Sequence, residues 1–297
     1  MRLSMRHHGG GRRDEGPDRD FSDSGWVGAG PDDNLEARLA AVAEAFDESQ
    51  PHVMTVLGPI DPGALGVTLV GDWHRPFNRV GGERTTALIE LERLYALGVR
   101  SCIELATGAT AAARADLAWV SARSPIHLIA SQRPSGESAD NKSGLRLGAT
   151  GLGSASEIQR LPIVDTTLPV FIDGDRAPVG WIDRSGLDQE LSERMCLTSV
   201  LPAPGGARGE WKPLLGAGAR LAIIVPGGGM LEAAGVVRDL VADGVGDQIL
   251  LGFQDDPMSM MERFPIALME AGLAAVEVRK LFVDNPARML TLVAKRP

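Results

Sequence analysis

VLGPIDPGALGVTLVGDWH, at residues 56–74, is the stretch whose reading decides the fold. Its first half is turn-forming: Gly58-Pro59 and Pro62-Gly63 punctuate it before any regular element begins. Its second half is a short run, residues 67–70, bracketed by Gly66 and Gly71. Three of those four side chains are apolar, so the run does not alternate as a half-exposed strand would. It reads as a strand covered on both faces, the kind that parallel sheets contain.

The same signal recurs down the chain. Further short apolar runs fall near residues 101–105, 126–130, 145–150, 170–173, 195–198, 221–225 and 248–252. Helical intervals lie between several of them. Residues 85–97 carry Leu88, Leu91 and Leu94 on one stripe, and residues 111–122 and 231–241 are helix-forming. Strand and helix alternating eight times predict an α/β fold of the (β/α)8 TIM-barrel kind. At residues 131–144 the pattern fails. QRPSGESADNKSG has no helical period and is rich in turn formers, which predicts a reduced third helix.

The chain has 297 residues and 44 % hydrophobic content, which suits one large domain that buries a full barrel core. Net charge is -9 with acidic and basic residues interspersed, which argues against a nucleic-acid or anionic-membrane surface. Cys102 and Cys196 each sit in an apolar strand run and imply no disulfide framework, so a reducing, cytoplasmic setting is expected. Residues 1–33 are rich in Gly, Arg, Asp and Ser and contain no stretch apolar enough for a signal peptide or membrane span. They read as a disordered tail. The barrel is expected over residues 34–297, preceded by an extra helix that Asn34 caps and that carries Leu35, Leu39, Val42 and Phe46 on one face.

With the alternation in hand, two segments carry a resemblance. Residues 56–74 resemble the opening of the phosphotriesterase family of the amidohydrolase superfamily, in which a Gly-Pro-Ile turn, a Gly and a Thr-Leu strand lead into His-x-His. VEVRKLFVDNPARML at residues 276–290 resembles the family's last helix and Asn-Pro stop. The resemblance implies a barrel with a binuclear metal centre at the C-terminal ends of its strands. Residue by residue, it also implies that this centre has been dismantled. Gly71 and Trp73 occupy the two histidine positions, and the bridging Lys or Glu falls near Leu152, where no Lys or acid occurs. Asp173 and Ser199 stand at the fifth- and sixth-strand histidines, and Gln254 at the eighth-strand Asp, with Asp255 one step away. The expected reading is therefore no cofactor and no metal.

A one-residue slip exchanges the faces of a strand, so an alternative remains open. Slipping the first strand would turn Asp72 and His74 inward, and a slip of the eighth would present Asp255. With Asp173 these supply donors enough for one divalent ion. In the ungapped register the barrel mouth instead receives Trp73, Asp173, Ser199 and Gln254. An aromatic face and a carboxylate favour a small cationic or amine ligand, and Asp173 is the candidate general base. Gly227, Gly228 and Gly229 precede the helix at 231–241 and are the candidate anion-binding backbone, with a plain turn as the simpler reading.

Three functional readings follow. The first is a metal-free, non-hydrolytic subunit of a homo- or hetero-oligomeric complex that converts a small molecule. The second is a metal-independent enzyme performing elimination, cyclisation or hydrolysis in a Trp73/Asp173 pocket. The third is a mononuclear metal-dependent hydrolase using Asp72, His74, Asp173 and Asp255.

Overall fold

The computed structural model describes residues 50–71, 83–105, 111–132, 147–152, 168–173, 189–200, 207–254 and 256–292. The tail at 1–33, the helix anticipated from Asn34 and the reduced interval at 131–144, apart from its first two residues, lie outside them.

The chain enters through a hairpin, β1 (Val53–Thr55) and β2 (Gly58–Ile60), whose strands pair antiparallel with Thr55 opposite Gly58. Gly58 adopts φ 134°, a conformation open to glycine, and the Thr55 hydroxyl donates to its carbonyl oxygen at 2.6 Å. The sequence reading saw here only a turn, because three-residue strands carry no measurable period.

Eight parallel strands then close into a barrel. They are β3 (Val67–Gly71), β4 (Val99–Glu104), β5 (His127–Gln132), β6 (Leu147–Leu152), β7 (Val170–Asp173), β8 (Met195–Val200), β9 (Arg220–Val225) and β10 (Ile249–Phe253). Closure is made by β10 against β3, with Gly252 opposite Val70. A Cβ on Gly252 would sit 2.3 Å from the Val70 carbonyl oxygen and 2.6 Å from Ile224 Cδ1, so the seam needs a residue without a side chain. Helices α1 (Glu83–Ala96), α2 (Ala111–Ser121), α3 (Gln189–Arg194), α4 (Ala207–Gly216), α5 (Met230–Ala242) and α6 (Pro257–Glu270) follow their strands.

Alternation divides each strand between two apolar cores. Val70, Ile103, Ile129, Ala149, Phe171, Cys196, Ala222, Ile224 and Leu250 share one cluster, the barrel interior. Leu69, Cys102, Leu128, Ala130, Ile172, Leu197, Ile223 and Leu251 belong to the other, packed with α1, α5 and α6. Every strand but β6, of which Ala149 alone has a described side chain, is thus buried on both sides, which explains why these sequences do not alternate. Val53, Leu65, Met289 and Leu290 join the interior cluster, so the hairpin and the C-terminal helix stop up one end. Ser101 Oγ donates to Leu65 O at 2.7 Å across that plug.

The end of the chain runs through α7 (Ala275–Arg279), a π-helical turn (Lys280–Asp284) and α8 (Asn285–Leu290). Asn285 is fully buried, and its amide donates to Gly246 O at 2.8 Å and Ile249 O at 2.7 Å. One side chain thereby ties the last helix to the base of β10.

Candidate active site

In a (β/α)8 barrel the side chains available for chemistry project from the C-terminal ends of the strands. On β10, Leu250 lies in the interior cluster while Leu251 and Phe253 face the helices, and Gln254 follows in a bend after the strand. On β7, Phe171 is interior and Ile172 is not, so the backbone of Asp173 closes the strand on the inner side. The ungapped register expects Asp173, Gln254 and Ser199 all to face the barrel mouth.

Ser199 does not. Cys196 is interior, whereas Met195 and Leu197 belong to the outer core, and Ser199 shares their parity. It is buried against the helix layer, and the inner face of β8 belongs to Thr198 and Val200. The ungapped alignment errs there by one residue because an apolar run carries no mark of which side is the interior.

The first barrel strand diverges in the same way. Val70 is interior, and Gly71 faces outward, where an added Cβ would meet the Phe253 ring at 2.6 Å. Gly71 is thus not an inward position, although the resemblance gives it the first histidine. Asp72, Trp73, His74 and Asp255 lie outside the described residues.

Two polar residues that the sequence reading missed stand at the inner mouth. Thr198 is opposite Asp173 in the β7–β8 register, and its hydroxyl donates to Ile172 O at 3.1 Å. Ser131 on β5 has the parity of Ile129, is 1 % exposed, and its Oγ has no hydrogen-bond partner. The only sequence signal for either is a hydroxyl inside an apolar run. A third, Glu104, ends β4 fully buried on the outer side beside Cys102, whose thiol is pushed well above its ordinary range by burial and then by the Glu104 charge.

The described histidines are far from this mouth. His127 begins β5, and burial lowers its pKa. His52 bridges to Leu292 beside the plug. Among the described residues no three His, Cys, Asp or Glu side chains gather as a metal site. Ser131 and Thr198, the hydroxyls described at the inner mouth, are poor ligands for divalent transition metals.

Gly227, Gly228 and Gly229 line a cavity of about 560 Å³ between α5 and α6, outside the barrel axis. Leu231, Ile266 and Ala267 form its apolar wall, with Arg263, Glu232 and Glu270 around it. The Gly229 N–H is committed to Pro226 O at 3.1 Å, and two carboxylates flank the cavity. That arrangement disfavours an anion and suits the plain turn.

No protein-family model and no curated protein matches the sequence. Solved structures do. The phosphotriesterase from Mycobacterium tuberculosis superposes with a TM-score of 0.58 at 14 % identity over 82 % of this chain and 100 % of that one. An amidohydrolase from Mycoplasma synoviae gives 0.61 at 13 %, over 84 % and 94 %. A resiniferatoxin-binding protein from Rhodobacter sphaeroides gives 0.59 at 16 %, over 80 % and 94 %. The chain has a phosphotriesterase-like (β/α)8 fold, as the two terminal motifs imply. Among the described residues no helix is long and apolar enough to cross a membrane.

Proposed function

We propose that this chain is a phosphotriesterase-like barrel that has given up binuclear metal hydrolysis and serves as a non-hydrolytic subunit of a complex converting a small molecule. The observation that supports the reading is at the strand ends to which the resemblance assigns ligands: Thr198 takes the inner face at the end of the sixth barrel strand, Gln254 follows the eighth, and among the described residues no three His, Cys, Asp or Glu side chains gather as a metal site. Hydroxyls and an amide can hold a polar molecule but make poor ligands for divalent transition metals. Asp173, at the end of β7, is the acid we assign to the pocket, where a carboxylate would favour an amine or other cation. The two free, buried cysteines fit a cytoplasmic protein.

The test is assembly together with activity. The full chain, loaded with zinc or manganese, should not turn over phosphotriesters or lactones. Co-expressed with the product of a neighbouring gene, it should elute as a larger stable complex. Hydrolysis by the isolated chain at ordinary enzymatic rates would refute the proposal.

A second reading draws support from β3. Val70 faces inward and Gly71 outward, so Gly71 is not the inward position that the ungapped register needs, and the slipped register with Asp72 and His74 stays open as a proposal. With Asp173 those residues would hold a single divalent ion. The set proposed for that ion is completed by Asp255.

A further inference from the structure

We propose that the α5–α6 face of the barrel is the interface through which two copies of this chain form a two-fold dimer, with α6 packed antiparallel against its own copy about Ile266. The inference goes beyond the reading above: it concerns the outer helix layer and is independent of what the barrel mouth binds.

Helix α6 carries apolar residues that the fold does not require. Met260, Phe264, Ala267 and Leu268 turn one stripe into the core. Ile266 follows Phe264 by two residues, which places it about 200° round the helix, on the side facing solvent. It is 51 % exposed, and Met269 on the same side is 46 % exposed. Across the groove Leu231, in the first turn of α5, is 75 % exposed. Single exposed apolar residues are ordinary, but a group of them beside a groove and rimmed by charge marks a site of association. Among the described residues the exposed large hydrophobics all lie on α1, α5, α6 and α7. Strands β9, β10 and β3 are neighbours in the barrel, so α5, α6 and α1 make up one sector of its surface.

The rim selects the occupant. Along the outer side of α6 the order is Arg263, Ile266, Glu270. Cation and carboxylate stand about two helical turns apart, with Ile266 between them. Reversing the helix exchanges the two charges, so a second α6 laid antiparallel sets each Arg263 against the other copy's Glu270 while the isoleucines meet at the axis. Among the described residues no salt bridge joins Arg263 to Glu232 or Glu270 within one chain, which leaves these charges to pair across the axis. A two-fold interface must be self-complementary, and this face offers a protruding Leu231, a groove of about 560 Å³, a cation and carboxylates together. Other occupants fit less well. Glu232 and Glu270 oppose an anionic membrane, and a small molecule in the groove would leave Met269, outside it, in water.

The test is sedimentation velocity on the full chain, expressed alone. The native protein should sediment at twice the chain mass at about 10 µM, a concentration that populates an interface of ordinary micromolar strength. Leu231→Glu and Ile266→Glu, both at exposed positions, should each weaken dimerisation about tenfold or more while the circular dichroism spectrum stays native. Arg263→Glu and Glu270→Arg should each be monomeric, because like charges then meet across the axis, and an equimolar mixture of those two variants should regain the dimer mass. A merely destabilised fold cannot give that recovery. Monomers that fail to recover on mixing overturn the antiparallel pairing. A monomeric native chain overturns the proposal, whether residues 1–49 cover the groove or nothing does. A dimer that all four variants leave intact places the interface elsewhere and overturns it too. These measurements use one chain and no substrate, so their failure leaves the co-expression and hydrolysis tests of the preceding reading untouched.

Discussion

Asp173 and Thr198 stand side by side at the barrel mouth, paired in the β7–β8 register, with the Thr198 hydroxyl anchored 3.1 Å from the Ile172 carbonyl oxygen. The pairing makes separable predictions for a charge and for a support. Asp173→Asn removes the charge with almost no change of shape, so it should abolish binding of a cationic probe such as glycinamide and leave the thermal midpoint within a few degrees. Thr198→Val removes the hydrogen bond and should cost about 1 kcal/mol in urea denaturation while probe binding persists.

The seam of the barrel makes a sharper demand. Gly252→Ala would drive a methyl group into the Val70 carbonyl and Ile224, and neither backbone nor a packed interior side chain can retreat far. We expect a loss of about 3 kcal/mol or more, or failure to accumulate folded protein, measured by chemical denaturation. Gly235→Ala on α5, where an added Cβ meets nothing within 4 Å, is the control and should be neutral or stabilising.

Asn285 predicts the strength of the C-terminal tie. Its fully buried amide holds two carbonyl oxygens, those of Gly246 and Ile249. Asn285→Ala strands both acceptors and opens a hole, so it should destabilise by about 2–4 kcal/mol. An effect under about 0.5 kcal/mol would mean that the tie is not structural.

The two cysteines set a pH signature. Burial raises both thiol pKa values, in Cys102 with help from the Glu104 charge and in Cys196 despite the opposing Arg220 charge. The folded chain therefore keeps its thiol protons while the unfolded chain releases them near pH ~8.5. Their contribution is whole below that pH and erodes as pH rises above it, since the folded state then binds more protons. Urea midpoints should fall between pH 8 and 10 more steeply in the native protein than in Cys102→Ala/Cys196→Ala. Equal slopes would contradict the shifts.

The barrel was legible because its signals are redundant. Eight apolar runs and two terminal motifs point to one architecture, and the runs near residues 170–173 and 221–225 lie within a residue of the observed strands. Asn285, within the Asn-Pro stop, is the side chain that ties the last helix to β10. The site was less legible, and Ser199 shows why. In a strand buried on both faces, Cys196, Leu197 and Ser199 are equally compatible with either side, so nothing local fixes which residue looks inward. The interior is decided by packing against neighbouring strands, where Cys196 meets Phe171 and Arg220 in register. Ser131 was invisible for a related reason: its significance lies in a missing partner, which only three dimensions reveal.

The central claim concerns the metal centre, and metal content tests it most directly. Untagged full-length protein should be stripped by mild chelation, reconstituted with zinc or manganese, freed of excess ion and analysed by inductively coupled plasma mass spectrometry alongside lactone and phosphotriester hydrolysis. The account predicts fewer than two ions per chain and no turnover. One tightly held ion, lost in Asp72→Asn and His74→Ala, would select the single-ion reading over the metal-free one. Two ions per chain, with hydrolysis that appears and disappears with them, would contradict the account outright.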